Sequence, residues 1–402
     1  MTNNQKYYFY YAFWAVILLF TSGGMIQTLF SEAGFSLQQI STYSAVLSTV
    51  QMTVTLINVF LSDRIRNVKK ATALLALAPI LLYTAVLPIC FGEDIPSRMM
   101  FLIICGAGGL TGLLLGIQNI FIYRLNYSTV DMSNYTDFSS KVTICGGICS
   151  IGTGLFITAL SAFRPFRRIA AITLILCILF SVSCCLLAGS MKEHPVKSRR
   201  GPQSSFSPAD FSLPYFKWFY LPNFLRGLGM GVMNSISVIC IKEITDDASF
   251  VSGLVTLLAA SAVAGSLLCN LCKKKFTATG QYVYASLGMA ILLPLSVMCK
   301  APVWFAVLLF LTGCMYNVIA VIAAVHAAEV ADYSNIGMYT SVRMICMYAG
   351  QAVAGALISI CIAHVSGMVL LFAGGICQAL SALFYHLYEK KYLSCNPSRG
   401  SV

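Results

Sequence analysis

Charge is what this sequence has least of. Asp, Glu, Lys and Arg make up only 10% of its 402 residues, while 58% are hydrophobic and the mean hydropathy is +0.80. Soluble domains carry about 25% charged residues, and so few charges cannot keep a chain of this size in water. An ordinary soluble protein is therefore excluded, and the bilayer becomes the solvent for much of the molecule. Strand-like alternation of apolar and polar residues, the mark of a membrane barrel, is also missing. Long apolar runs such as 71–91 and 169–187 stand in its place. In lipid the backbone must satisfy its own hydrogen bonds, so these runs are helices. A phosphate-binding GxxxxGK[ST] loop is lacking too, which argues against direct drive by ATP, and the loops are too short for a soluble catalytic domain.

A bilayer core of about 30 Å needs about twenty helical residues. That length places spans at 9–31, 38–61, 71–92, 98–122, 140–163 and 167–190, and again at 215–241, 249–271, 281–299, 302–326, 338–362 and 365–388. The first has only Lys6 as basic flank and no small-residue cleavage site, so it is expected to be a retained helix. The net charge of +12 has its cause in topology. With both termini in the cytoplasm, most Lys and Arg fall on the inner side, as cytoplasmic loops require, and no nucleic-acid partner is implied. The expectation is a multi-pass protein of the cell membrane with both termini cytoplasmic, acting as a monomer in the lipid bilayer. Arg164, Arg167 and Arg168 break the pattern on the outer side. Most of the sixteen cysteines sit inside apolar spans, where they behave as small hydrophobes. Cys269 and Cys272 form a lone CxxC without a second pair, so no metal or other cofactor is expected.

The longest polar interruption, 191–214, divides the chain into six-span halves at 1–190 and 215–402. The halves look related. Tyr135-Thr136 and Ile144-Cys145 recur as Tyr339-Thr340 and Ile345-Cys346, and Lys141 and Arg343 take similar places at an offset of roughly 200 residues. Two repeats around a central cavity is a transporter layout. Ser36 and Gln39 have capping-box spacing at the start of the second span. Gly108, Gly112 and Gly116 form a row that permits close helix crossing.

Between the second and third spans runs Asn58-Val59-Phe60-Leu61-Ser62-Asp63-Arg64-Ile65-Arg66-Asn67-Val68-Lys69-Lys70. This stretch resembles the loop signature of the major facilitator superfamily, where a helix end carries Asp-Arg or Asp-Lys and then a basic run. Glu32–Ser36 is similar to that family's first outer loop. The resemblance implies an all-α membrane protein of about twelve transmembrane helices in two six-helix halves. It also implies a solute pathway lined by the first, fourth, seventh and tenth helices, and an Asp63 carboxylate seated at the N-terminus of the eleventh. A carboxylate is favoured at such a positive helix end. By its own position Asp63 can instead pair with Arg124. Either contact would hold one access state, so Asp63, Arg64, Arg124, Lys141 and Arg343 form the expected gate.

Arg226 lies about eleven residues into the seventh span, about 16 Å deep. A mid-membrane Arg is costly and faces a cavity or a partner. Gly227, Gly229 and Gly231 beside it let another backbone or a ligand approach. Gln27, Gln118, Asn119, Asn234 and Asn317 lie on the pathway spans and, with Arg226, are the expected substrate contacts. A structural Arg bonded to a carbonyl, and amides that simply bond between helices, are the plain alternatives. No carboxylate stands at mid-span. His326 and Glu329 share a helical face, with Asp332 just beyond, and are the candidates for carrying a coupling proton, though they would serve equally as a gate cluster with Arg343.

These features point to a secondary carrier of a small polar solute, sugar or organic anion, working by alternating access with a proton or sodium ion in symport. A drug or metabolite efflux antiporter is the alternative within the same superfamily. A membrane-embedded enzyme or a non-transporting receptor stands further off.

Overall fold

The computed structural model describes residues 1–21, 24–61, 65, 67–91, 96–130, 135–161, 163–192, 214–245, 248–272, 275–330, 336–362 and 364–395. Every regular element among them is a helix. In chain order these are α1 (Asn3–Leu19), α2 (Gly24–Glu32), α3 (Leu37–Leu61), α4 (Val68–Leu75), α5 (Pro79–Val86), α6 (Ser97–Thr129), α7 (Tyr135–Ser161), α8 (Phe166–Gly189), α9 (Pro214–Ile244), α10 (Ala248–Cys272), α11 (Ala278–Val297), α12 (Pro302–Val330), α13 (Ile336–Cys361) and α14 (Gly367–Cys395). Taking α1 with α2 and α4 with α5, they make twelve spans. Ten described stretches are long and apolar enough to cross a bilayer outright. The linker expected at 191–214 lies, from 193 to 213, outside the described residues.

Two spans depart from the expectation of single straight helices. The first breaks between Leu19 and Gly24, separating α1 from α2. The third breaks at 76–78 and ends in a 3-10 turn, Leu87–Cys90. Pro79 and Pro88 supply no N–H and clash with the turn before them. Around Pro79 the chain switches to the tighter pattern, with Leu77 N donating to Leu74 O and Ile80 N to Leu77 O, at 3.1 and 3.0 Å.

Local signals elsewhere hold. The Ser36 hydroxyl accepts from Gln39 N at 3.2 Å while the Gln39 side-chain carbonyl accepts from Ser36 N at 2.8 Å. That reciprocal cap starts α3 just after Gly34, whose φ of +85° turns the chain. The glycine row of α6 packs on α3. A Cβ at Gly108 would stand 2.9 Å from the Tyr43 carbonyl, one at Gly116 3.1 Å from that of Gln51, and one at Gly112 would enter the Leu47 carbonyl. Lipid tails are as apolar as leucine, so close backbone packing of this kind is what holds such helices together.

The apolar core is double. One cluster of buried side chains runs from Tyr7 to Met191 and draws only on α1–α8 and the residues joining and following them. The other runs from Val232 to Tyr385 and draws only on α9–α14. Large apolar residues such as Phe156, Leu176, Trp304 and Ile360 are exposed on outer faces, an inversion that suits lipid as surrounding solvent. The halves meet chiefly along two pairs, α3 with α13 and α7 with α10. These are spans two with eleven and five with eight. Advancing each by six exchanges the pairs, as a two-fold relation between two six-span halves requires.

Candidate functional site

Between the halves lies a cavity of about 570 Å³. Its walls come from α1, α2, α6 and α7 of the first half and from α9, α10 and α12 of the second. The break in the first span matters here, because it brings Gly24 and Gln27 of α2 to the cavity alongside Tyr10, Tyr11 and Trp14 of α1. Tyr10 and Trp14, one turn apart, stack with ring centroids 6.1 Å apart and planes 16° apart. Phe138 at the start of α7 meets Tyr7 edge-on at 5.4 Å. The first half thus presents an aromatic wall, whereas the second contributes small side chains, Ala259, Ser261, Ala262, Gly313 and Ala320.

All five amide residues expected at the pathway line this cavity. Gln118 donates its amide N–H to the Tyr10 hydroxyl. Asn119 donates to the Tyr348 hydroxyl of α13 at 3.0 Å, crossing between the halves. Gln27 donates to Ser44 Oγ and to the main-chain carbonyl of Asn234, both at 3.4 Å, which makes a second cross-half contact. Asn317 donates back to Gly313 O of its own helix at 2.8 Å, and the Asn234 side chain is exposed within the lining. Sequence reasoning missed Asn126, which lines the cavity two turns beyond Gln118 and donates to the Tyr11 hydroxyl at 3.3 Å. Its i, i+8 spacing from Gln118 was the signal available.

Arg226 is buried but is not among the lining residues. Tyr316, which does line the cavity, lies within electrostatic range of it. Its Nε has no hydrogen-bond partner, and its carbonyl accepts from Gln378 of α14 at 3.3 Å. The room beside its neighbouring glycines is taken by other helices. Gly227 meets the Met347 carbonyl, Gly229 the Gln378 side chain, and Gly231 Gln351 and Ala354. Of the two approaches those glycines permit, backbone or ligand, the structure shows helix packing.

Three of the five residues expected at the gate are described. Asp63 and Arg64 lie outside the described residues. Arg124 is buried and donates to Ile65 O at 3.3 Å, tying the loop after α3 to α6. Arg343 on α13 donates to Ala323 O of α12 and lies 5.8 Å from the centre of the Tyr123 ring on α6, a cation–π contact between the halves. Lys141 pairs with Asp137 one turn back at 2.7 Å on an exposed face. The His326 and Glu329 side chains and the whole of Asp332 lie outside the described set. Arg167, from the anomalous outer cluster, donates to Ile89 O and so staples α8 to the turn that ends the third span.

No family model and no curated protein matches the sequence. Solved structures match over nearly the whole chain. A bacterial homologue of the iron transporter ferroportin, in an outward-facing state, superposes with a TM-score of 0.71 at 12% identity, covering 96% of this chain and 98% of that one. The E. coli fucose:proton symporter FucP gives 0.65 at 13%, with the same coverage. The nucleoside transporter NupG gives 0.66 at 16%, covering 96% of this chain and all of the other. The fold is that of the major facilitator transporters, and the chain is a multi-pass membrane protein.

Proposed function

We propose that this protein is a secondary carrier that moves a small uncharged polar solute across the membrane by alternating access. The observation that carries this is the cavity itself. It is walled by both halves, sized for one small molecule, and lined among the described residues by amides, hydroxyls and aromatic rings beside apolar side chains, with no Asp, Glu, His, Lys or Arg. Polar donors and acceptors that converge in an otherwise apolar cavity are how a site recognises a neutral solute. The fucose and nucleoside carriers that share the fold handle solutes of that kind by name. The organic-anion alternative is disfavoured because Arg226 is buried and is not among the lining residues.

Three cross-half contacts, in two sets, fit a rocking mechanism. Gln27 with Asn234 lies on the side of the loop joining α2 and α3, and Asn119–Tyr348 with Arg343–Tyr123 lies on the side of the termini. Opening to either side requires one set to part. We place the termini in the cytoplasm, from the basic bias of their side, and assign a coupling proton to His326, Glu329 and Asp332 near the end of α12, the helix that carries Tyr316 and Asn317.

The test is counterflow in proteoliposomes with labelled sugars, nucleosides and organic acids, with and without a proton gradient. Exchange of a neutral solute that a proton gradient drives uphill is the expected result. Exchange confined to organic acids would overturn the neutral-solute assignment, and uphill uptake indifferent to protonophore would overturn proton coupling.

A further inference from the structure

Arg164, Arg167 and Arg168 run against the charge bias of the rest of the chain. Asn3 at the start of α1 bonds to the main chain of Lys192, just past the end of α8, so α8 begins on the side opposite the termini. Its 24 residues reach about 36 Å, enough to cross the bilayer core. The three arginines therefore sit at the level of the headgroups on that far side. Arg167 turns inward to Ile89 O. Arg164 and Arg168 are exposed, and neither is paired with an acid among the described residues.

The second half shows that the fold does not need these cations. Its corresponding turn, 362–366 between α13 and α14, carries no Lys or Arg. There the Ser366 hydroxyl accepts from Met368 N at 3.2 Å, whereas α8 follows Pro165 with no side-chain cap. The arginines also have apolar company. Phe163 beside them is 82% exposed, more than any other large apolar side chain described. From Arg168 the exposed face of α8 continues at helical spacing through Ile172, Ile175 and Leu179. One leaflet covers about 15 Å of the core, or about ten helical residues, and this track has that length. None of these residues lines the cavity.

A soluble anion would answer the arginines and leave the track unused. An apolar helix of another protein would cover the track and leave the cations unanswered. A second copy of this chain, packed here about a two-fold axis, would set arginine against arginine. An amphiphile with an anionic head answers both features.

We propose that the start of α8 is a binding site for an anionic phospholipid of the leaflet opposite the termini. Arg164 and Arg168 hold the phosphate, Phe163 enters the boundary between headgroups and acyl chains, and one acyl chain lies along Ile172, Ile175 and Leu179. The site is independent of what the cavity carries.

The experiment uses the full chain in detergent micelles and counts retained lipid by native mass spectrometry during titration with phosphatidylglycerol or phosphatidylcholine. The expected result is one phosphatidylglycerol held about tenfold more tightly than phosphatidylcholine. The double variant Arg164→Gln, Arg168→Gln should lose that preference, with its melting temperature in lipid-free detergent unchanged because both side chains are exposed. Lys300→Gln, at an exposed cation on the corresponding rim of the second half, should keep it. Equal retention of the two lipids by the parent, the outcome if Glu93 and Asp94 already neutralise the arginines, would overturn the proposal. An undiminished preference in the double variant would do the same, as would its loss in Lys300→Gln, which would mark general surface charge. Displacement of the lipid by millimolar inorganic phosphate would make this a soluble-anion site and overturn the lipid assignment.

Discussion

The two halves share a plan but treat their helices and their cavity walls differently. In the first half, prolines and glycines interrupt the spans. α1 and α2 part near Gly24, and α4 and α5 part at Pro79. In the second, Pro222 and Pro294 lie inside continuous helices, α9 and α11. Around Pro222 the Ser381 hydroxyl donates to the proline's own carbonyl at 2.8 Å, tying α14 to α9 at that point. The first half offers the cavity Tyr10, Tyr11, Tyr123, Trp14 and amides held by hydroxyls, and the second offers Tyr316, Asn234 and Asn317 set among smaller side chains. The aromatic and amide groups are therefore denser on the first wall than on the second.

The largest expected effect comes from overfilling a helix crossing. Gly112→Val pushes a side chain into the α3 backbone at Leu47, which cannot yield as a flexible side chain would. The expected cost is about 3 kcal/mol, the upper part of the overpacking range, seen as loss of monodisperse protein in fluorescence-detected size exclusion. Gly152→Ala on α7, where a Cβ meets nothing within 4 Å, should stay within about 1 kcal/mol of the parent. Equal behaviour of the two would mean that the α6 crossing is not tight.

Next comes the contrast between walls. Gln118→Leu removes an amide that holds Tyr10 and should weaken solute binding about tenfold or more. Ser261→Ala on the opposite wall, where the hydroxyl is already spent on Leu258 O at 2.6 Å, should stay within about twofold. Matching losses would erase the division of labour between the halves.

A smaller effect is expected at the cross-half contacts near the termini. Asn119→Ala and Arg343→Gln each remove one interaction of about 1 kcal/mol. Each should shift the balance of access states by about fivefold, read as faster thiol labelling of a cysteine placed at Ser139, and in Arg343→Gln, which is not in the lining, solute affinity should be little changed. Unchanged labelling in both would show that these contacts do not hold the closed side. The smallest belongs to Lys141→Ala. Its pair with Asp137 is exposed on both sides, at 56% and 50%, and exposed pairs contribute little. Melting temperature and transport rate should be indistinguishable from the parent, and a clear loss of rate would return Lys141 to the gate.

Much of the fold was legible in the sequence because hydropathy reports burial in lipid directly. The twelve spans, the α3 cap at Ser36 and the close face of α6 all follow from local pattern. The amides were legible for the same reason, since a polar group inside a span needs a partner. The breaks in the first and third spans were not, because an apolar run looks the same to a hydropathy window whether it is one helix or two, and Pro79 had to be weighed against prolines that helices elsewhere absorb. Arg226 shows the other limit. Its depth gives distance along the helix axis, but the direction of its side chain is set by where α13 and α14 crowd Gly227 and Gly229. The tyrosines of α1 carry no distinct signal in a hydropathy pattern, yet the Tyr10 and Tyr11 hydroxyls accept from Gln118 and Asn126.

The separateness of the two apolar clusters also bears on how the molecule is made. Nothing in the core that begins at Tyr7 and ends at Met191 waits for a side chain from beyond the linker. Emerging from the ribosome, the amino-terminal bundle can finish its own packing before α9 enters the membrane. Biogenesis then becomes the docking of two prebuilt bodies along α3–α13 and α7–α10, and the surfaces that join last during synthesis are the same ones that the proposed alternating access would set sliding.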